Sequence, residues 1–482
     1  MSRAILALAL VSLLAGCAMG PNPPKPDLHV PAAFEAPTDV IQPGIPLERW
    51  WSGYNDPQLE SLVGQALANA PDARSARARL DEAIAVRGGA LSAYGPQGPL
   101  RASASRTDTK VVSGSLSLFI PGVGDIPLET GGTSNSYGPD FSVSWEIDLF
   151  GRQRAARGEA NADLAAARFD YEATRTSLAA NVADQLFQAR GLAIQLEDAR
   201  EEQRIQRQLA DVARKMAAHG VGSIADADQA ASVVMQTDAQ VADLVGQLHV
   251  ARRTLLVLVG QGVDPLDSLS ATAEAAAPPA VPATAPGELL ARRPDVREAA
   301  EELASASGQL KLDRLAVLPR LTLQPELGLS AAPGLGGPVT SEFWSIGLGL
   351  AQPVFDLPRL KSVIRAQSAR ATQAVIAYEK AVQTAYGEAE NALVELSADE
   401  ARVSLLTTGE AQARSAYSAA LANYAAGVDD LTAALEAERT WRTARTTLTG
   451  ARVQALRRSV QAFKALGGGW SPDSPAMEQA SR

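Results

Sequence analysis

Residue types that commonly perform catalysis or bind metals are few and scattered in this chain. His29, His219 and His249 are the three histidines among 482 residues, and their spacing fits no metal-ligand pattern. Gly122-Val123-Gly124 is followed by Asp-Ile-Pro rather than by a helix with a third glycine, so it predicts a loop and not a nucleotide-binding turn. No nucleophile can be paired with a base. These observations favour a protein that is not an enzyme and needs no metal or organic cofactor.

The single cysteine, Cys17, stands at the end of an export signal. Arg3 supplies a positive charge, and an apolar stretch too short to span a bilayer follows from Ile5 to Leu14. Leu14-Ala15-Gly16-Cys17 resembles the lipobox of bacterial lipoproteins, in which the signal peptide is cut before the cysteine and the cysteine is acylated. We therefore expect a covalent lipid on Cys17. The alternative is a signal peptide with an incidental cysteine.

Composition limits the kinds of partner. The chain has 54 acidic and 44 basic residues and a pI near 5.1, which speaks against binding nucleic acid through a basic face. No run of about 20 apolar residues follows Cys17, so any contact with the bilayer interior is expected through β-strands. Ala18 and Met19 follow Cys17, in place of the aspartate that retains many such lipoproteins at the inner membrane. The sequence therefore favours the outer membrane and its lipid.

The second half of the chain repeats the first. Tyr171-Glu172 recurs 207 positions later as Tyr378-Glu379, and Pro71-Asp72 recurs 223 positions later as Pro294-Asp295. Two copies of one unit predict a structure built by repetition around an axis. The expected segments are a signal peptide (1–16), a lipid-anchored proline-rich arm (17–49), a first repeat (50–262), a proline- and alanine-rich linker (263–287), a second repeat (288–470) and a C-terminal tail (471–482).

Each repeat contains segments in which apolar and polar residues alternate. In the first, Phe141, Val143, Trp145, Ile147 and Leu149 alternate with serines and acids, and similar patterns begin near Leu100, Leu321 and Trp344. Alternation over about ten residues is typical of membrane strands with one face to lipid and one to water. Four strands cannot close a barrel, so we expect oligomerisation to close it, and three chains would give twelve strands. A half-buried strand of a soluble sandwich is the alternative.

Long helices are expected between the strands. Residues 152–218 and 359–426 lack proline and are rich in alanine, leucine, glutamate and arginine. Val375, Tyr378, Val382 and Ala385 begin a heptad seam in the second of these segments. Shorter helices should return after Gly220 and Gly427, and the helices that begin near Pro71 and Pro294 should stack on their ends. The residue patterns therefore predict an α+β membrane protein that combines long helices with membrane strands.

Four motifs resemble those of the outer-membrane efflux proteins of the TolC superfamily, in the NodT/OprM-like branch: Trp145 to Arg152 (WEIDLFGR), Arg293 to Val296 (RPDV), Gly427 to Asp429 (GVD) and Phe463 to Trp470 (FKALGGGW). The resemblance implies a homotrimeric channel whose twelve-stranded β-barrel continues as a long periplasmic α-helical barrel. Such a channel conducts small molecules passively. The resemblance also implies a periplasmic adaptor and an inner-membrane pump of the resistance-nodulation-division type as partners. A TolC-type duct for protein secretion and a periplasmic coiled-coil scaffold lipoprotein remain alternatives.

The same resemblance assigns candidate site residues near the ends of the helical hairpins. Glu436 and Arg439 occupy positions where relatives carry a gate acid and a gate arginine, and i,i+3 residues share a helix face. A solvated pair of little energetic value is the alternative. Asp226, Asp429 and Asp430 are further candidates for the periplasmic gate. The expected adaptor contacts are Gly220, Val221, Gly222, Ser223, Gly427 and Val428.

Overall fold

The computed structural model describes residues 24–36, 47–110, 116–128, 132–270, 277–282, 285–334, 337–426, 428 and 431–471. The predicted signal peptide (1–16) and Cys17 lie outside these residues. The chain divides into two compact units, each assembled from both repeats. One unit comprises Met1–Pro24, Ala85–Asp163 and Leu303–Ala374, and the other comprises Lys25–Ile84, Leu164–Glu302 and Val375–Arg482.

The helices reproduce the sequence repeat. In chain order they are α1 (Pro57–Asn69), α2 (Pro71–Ser92), α3 (Arg152–Ala218), α4 (Ile224–Leu258), α5 (Leu289–Arg292), α6 (Pro294–Leu315), α7 (Leu357–Ala425) and α8 (Leu431–Ala465). Helices α2 and α6 each have 22 residues and begin at proline, which suits a first turn. Helices α4 and α8 each have 35 residues and begin 207 positions apart. Among the described helices, none has an apolar stretch long enough to cross a membrane.

The strands are β1 (Leu100–Thr109), β2 (Leu116–Ile120), β3 (Gly124–Leu128), β4 (Gly132–Ser142), β5 (Trp145–Ile147), β6 (Arg320–Gly334) and β7 (Gly337–Ala351). The main sheet is antiparallel, with β4 between β1 and β6, and with β7 on the other side of β6. Strand β5 continues β4 along β6 after a break at Val143 and Ser144. The four predicted strands are thus present. The separate β2–β3 hairpin, which the sequence did not predict, lies between β1 and β4 in the chain.

The main sheet has one apolar face that is open to its surroundings. Register places Leu100, Phe141, Leu327 and Trp344 side by side across the four strands, and all four side chains are exposed. The opposite face carries polar rows, such as Ser142, Glu326 and Ser345. Because successive side chains of a strand point to opposite faces, the alternation in the sequence becomes two chemically different surfaces.

The turn from β5 into α3 explains the first family-like motif. Gly151 has φ +81°, a backbone conformation that favours glycine. The carboxylate of Asp148 accepts hydrogen bonds from the backbone N–H groups of Arg152 (2.7 Å) and Gln153 (3.2 Å), which satisfies two donors of the first helical turn. The Arg152 side chain reaches back to Glu146 at 3.2 Å. The motif therefore ends a strand and starts the long helix within a few residues.

Each return helix ends against the start of a proline-led helix. Gly260 has φ +81°, and a Cβ there would lie 2.8 Å from the Asn69 carbonyl oxygen. Gly467 has φ +77°, and a Cβ there would lie 2.8 Å from the Arg292 carbonyl oxygen. Asn69 precedes α2 and Arg292 precedes α6, so the two contacts are equivalent in the two repeats. The predicted end-to-end stacking is therefore present twice.

An aromatic cluster joins the residues before α1 to the helices. Trp50 is fully buried, its ring stacks on Phe463 of α8 at 5.6 Å between centroids, and Tyr54 packs on Phe187 of α3 at 5.1 Å. Aromatic pairs of this kind add about 0.5–1.5 kcal/mol beyond their area burial. In the seam predicted on α7, Tyr378 is partly buried, and the other members are fully buried: Val375, Val382, Ala385, Ala389, Ala392 and Leu396.

An acidic group at the junction of α2, α3 and α6 makes stability depend on pH. Burial, together with nearby Asp170, Glu302 and Asp295, raises the pKa of Glu298 to about 7, although Arg79 opposes this. Because the folded-state pKa exceeds the unfolded value, stability is greatest below the unfolded pKa and falls as pH rises through about 7.

We predict that Glu298→Gln removes much of this dependence. In detergent, the thermal midpoint of the wild type should fall more between pH 5 and pH 8 than that of the variant. Glu82→Gln, which changes an exposed acid on α2, is the control and should behave like the wild type. Equal pH dependence in Glu298→Gln and the wild type would contradict the prediction.

Candidate functional site

The turn between α3 and α4, which is the end of the first helical hairpin, contains a glycine in the left-handed conformation. Gly220 has φ +69°, and the backbone N–H groups of Val221 and Gly222 donate to the Met216 carbonyl at 3.0 and 3.2 Å. The Ser223 hydroxyl accepts the Ala225 N–H and caps α4. Val221 is 74% exposed, so an apolar side chain projects from this hydrogen-bonded turn. Ile224 is exposed to the same extent, and the acid Asp226 lies exposed in the first turn of α4.

At the second hairpin, Gly427, Asp429 and Asp430 lie outside the described residues. Val428 is described and exposed, and its N–H donates to the Asn423 carbonyl at 2.9 Å. Val221 and Val428 are equivalent positions of the repeat. Exposed apolar side chains at the ends of both hairpins suit contact with another protein. The assignment of these residues to the adaptor remains a prediction.

Glu436 and Arg439 lie one turn apart on α8, and both are exposed. Among the side chains that the structure describes, these two form no ion pair with each other. Their backbone carbonyl groups accept hydrogen bonds from the hydroxyls of Thr440 and Thr443. The structure thus brings the two residues to one helix face, and their role at a gate remains a prediction.

A buried polar network that the sequence analysis missed begins beside this pair. Glu438 is 7% exposed, accepts a hydrogen bond from Arg442 Nε at 2.9 Å and forms an ion pair with Arg442 Nη2 at 2.8 Å. The Trp441 ring stacks on Tyr417 of α7 at 5.3 Å, and its Nε1–H donates to Glu410 at 2.7 Å. The i,i+4 spacing of Glu438 and Arg442 was the available signal. The partners on α7 had no signal in the local sequence.

Arginines continue this network along α8. Arg445 contacts Asp198 of α3 at 2.7 Å, Arg457 contacts Asp184 of α3 at 2.8 Å, and Arg458 contacts Glu395 of α7 at 2.5 Å. The guanidinium groups of Arg442 and Arg445 also lie near the Trp441 ring, each at 5.9 Å from its centroid. The return helix is thereby tied to both long helices.

Asp198 is the partly buried acid of this arrangement. Burial raises its pKa, while Arg445 and Arg442 act in the opposite direction. Asp198, Asp243, Arg442 and Arg445 line a cavity of about 160 Å³ between α3, α4 and α8. This volume lies below the range of about 300–1,000 Å³ that small-molecule sites usually occupy. The arrangement holds the three helices together.

We predict that Arg445→Met lowers stability because Asp198 loses its closest cationic partner. The expected loss is about 1–3 kcal/mol, measured as a lower midpoint of the helical circular dichroism signal in detergent. Adding Asp198→Asn should restore part of the loss, since no charge then lacks its partner. Arg439→Met, which removes an exposed arginine from the same helix, is the matched control. Equal midpoints for Arg445→Met and Arg439→Met would disprove this role.

Comparisons with known proteins assign the family. The family model described as "Outer membrane efflux protein" matches residues 62–261 and 285–468. The pyoverdine export outer membrane protein OpmQ of Pseudomonas putida is 30% identical over 478 residues, with 98% of this chain and 99% of that protein covered. The probable outer membrane lipoprotein SilC of Salmonella typhimurium is 26% identical, with 97% and 98% covered.

A solved structure is similar over nearly the whole chain. The outer-membrane channel OprN is 28% identical, with a TM-score of 0.77, and the match covers 94% of this chain and 100% of that one. The resemblance inferred from the four motifs is confirmed by the family model and by these relatives. The chain therefore belongs to the outer membrane efflux protein family and is an efflux channel protein of the outer membrane.

Proposed function

We propose that three copies of this chain form the outer-membrane duct of a tripartite efflux system. Small molecules would pass unchanged from an inner-membrane pump of the resistance-nodulation-division type, through a periplasmic adaptor, to the exterior. The similar Pseudomonas protein is named for pyoverdine export, which supports a small-molecule cargo here. A lipid on Cys17 would anchor each copy to the membrane.

The observation that carries this proposal is the apolar face of the main sheet together with its two free edges. Strands β1 and β7 are the outer members of the sheet. The row of side chains that crosses its four strands is exposed: Leu100, Phe141, Leu327 and Trp344. Strand edges with unpaired N–H and C=O groups are not tolerated in hydrocarbon. Pairing β7 of each copy with β1 of the next supplies the missing hydrogen bonds. Three copies then give a closed β-barrel of twelve strands.

The second unit, which contains Leu164–Glu302 and Val375–Arg482, is called the helical unit, and it has two matching edges. Helix α3 bonds to α4 through Gln185 and to α8 through Asp184, and α8 bonds to α7 through Arg458. The order α4, α3, α8, α7 leaves α4 and α7 at the ends. Each end carries exposed apolar residues on one helix face: Met235, Val250 and Val257 on α4, and Ile376, Val394 and Leu405 on α7. Head-to-tail contact between these faces would close a ring.

A lipid-facing sheet predicts different outcomes for neighbouring substitutions in β7. Ile346 lies on the apolar face and Ser345 on the polar face, where its register partner is Glu326. Ile346→Arg should cost about 2–4 kcal/mol if the site is near the bilayer midplane, and should reduce the heat-dissociable trimer recovered from outer membranes. Ser345→Arg is the matched control and should assemble normally. Equal trimer yields would refute the assignment of faces.

Conduction and gating can be tested together in planar bilayers. Purified trimers should insert and show a low resting conductance. Arg439→Ala should raise this conductance, because three Glu436 carboxylates near one axis would lose their counter-charges. Arg439→Lys keeps the charge and should stay close to the wild type. Folded trimers that never conduct would sink the duct proposal, whereas unchanged conductance in Arg439→Ala would place the gate elsewhere.

A further inference from the structure

The arm formed by residues 24–36 lies along α7. The Asp27 N–H donates to the Glu379 carboxylate at 2.8 Å, and the Glu35 N–H donates to the Glu390 carboxylate at 3.1 Å. Both the arm and the helix therefore advance in the same direction along this contact. Between these two bonds, the Phe34 ring stacks on Tyr386 with 5.9 Å between centroids and 14° between planes.

Apolar contacts fix the inner side of the arm. Leu28 and Val30 pack against the cluster of Val296, Val382 and Ala385, and Ala36 is buried in the main core. These contacts join the arm to both α6 and α7. The described arm is thus a fixed part of the α7 surface rather than a free tether.

The outer side of the arm is uncharged and open. Ala32 and Ala33 are exposed, and no charged residue occurs from Val30 to Phe34. On a helix with 3.6 residues per turn, Glu390 lies about 40° and Tyr386 about 80° from Val394. The arm therefore borders the exposed apolar face of Ile376 and Val394. The uncharged part of the arm and this apolar stripe therefore lie beside each other on an end helix of the unit.

The surface formed by the arm and α7 lies at a defined level along the helix axes. Arg293, beside this part of α7, contacts Glu388 at 2.7 Å and the Ala465 carbonyl at 3.2 Å. The arm thus lies level with the C-terminal end of α8. The equivalent end of α4 in the other repeat carries the exposed Val250 and Val257. Copies related by rotation about one axis keep equal heights, so these valines of a second copy would meet the arm.

We propose that the arm is part of the interface between copies, with Pro31 to Ala33 packed against Val250 and Val257 of a second copy. This inference rests on the proposed trimer. The occupant is a second copy because an uncovered apolar face at the same height, with Val250 and Val257 exposed, lies on α4 of the chain itself. The lipid-bearing segment would then seal the wall between subunits in addition to anchoring it.

Disulfide cross-linking of isolated trimers tests the proposal. Ala33→Cys with Val257→Cys should give linked chains that survive heating in detergent and separate on reduction. Ala33→Cys with Met235→Cys is the matched control, because Met235 is on the same face of α4 but about 33 Å away, and it should not cross-link. Each single-cysteine variant controls for disulfides through Cys17.

The outcomes separate this inference from the proposed function. Trimers that fail to cross-link between 33 and 257, or that cross-link equally between 33 and 235, would overturn the interface. Absence of trimers from the wild type would instead defeat the proposed duct. As a second measurement, Ala33→Asp should lower the temperature at which trimers dissociate, with helical content unchanged. An unchanged dissociation temperature would also count against the interface.

Discussion

The helix junction at Gly260, repeated at Gly467, is the contact on which the order of each repeat depends. Both glycines have positive φ, and a Cβ at either would stand 2.8 Å from a backbone carbonyl oxygen. Only glycine therefore allows the end of a return helix to approach the start of a proline-led helix so closely. A carbonyl oxygen cannot move aside as a flexible side chain can. The second junction is reinforced by Trp470, whose Nε1–H donates to the Arg292 carbonyl at 2.7 Å.

The helical unit is held together by different interactions at different heights. Near the junctions, Trp50, Tyr54, Phe187 and Phe463 form a closely packed aromatic cluster. Toward the hairpin ends, α8 depends on charged and polar contacts around Trp441 and Asp198. Ion pairs with partly exposed side chains contribute less than buried apolar packing. The junction end is therefore the rigid part of the unit, while the hairpin end can change its contacts at smaller energetic cost.

Three surfaces of the chain need covering by something outside it: the apolar sheet face, the two end helices and the hairpin ends. The sheet face suits lipid because the exposed cross-strand row of Leu100, Phe141, Leu327 and Trp344 is apolar. The end helices suit further copies, because their exposed faces match one another. Val221 and Val428 suit a protein at the hairpin ends. Separate surfaces of one chain thus suit contact with lipid, with further copies of the chain and with a partner protein.

Local patterns were sufficient to predict much of this architecture. Alternation around Trp145 and Trp344 predicted strands and their faces, and the spacing from Val375 to Leu396 predicted the buried seam of α7. The 207-residue offset predicted equivalent helices because each repeat has the same local preferences. The separate β2–β3 hairpin and the break at Val143 were not predicted, since short apolar segments have weak periodicity.

Tertiary structure alone decided the contacts between distant residues. The partners of Trp441 on α7, the pairing of Asp198 with Arg445, the raised pKa of Glu298 and the position of the arm on α7 each join segments far apart in the chain. No local spacing records such pairs, because the energy of each depends on burial and on neighbours that the fold brings together. The sequence by itself therefore determined the elements and their repetition. The packing determined which charges are buried and which surfaces stay open.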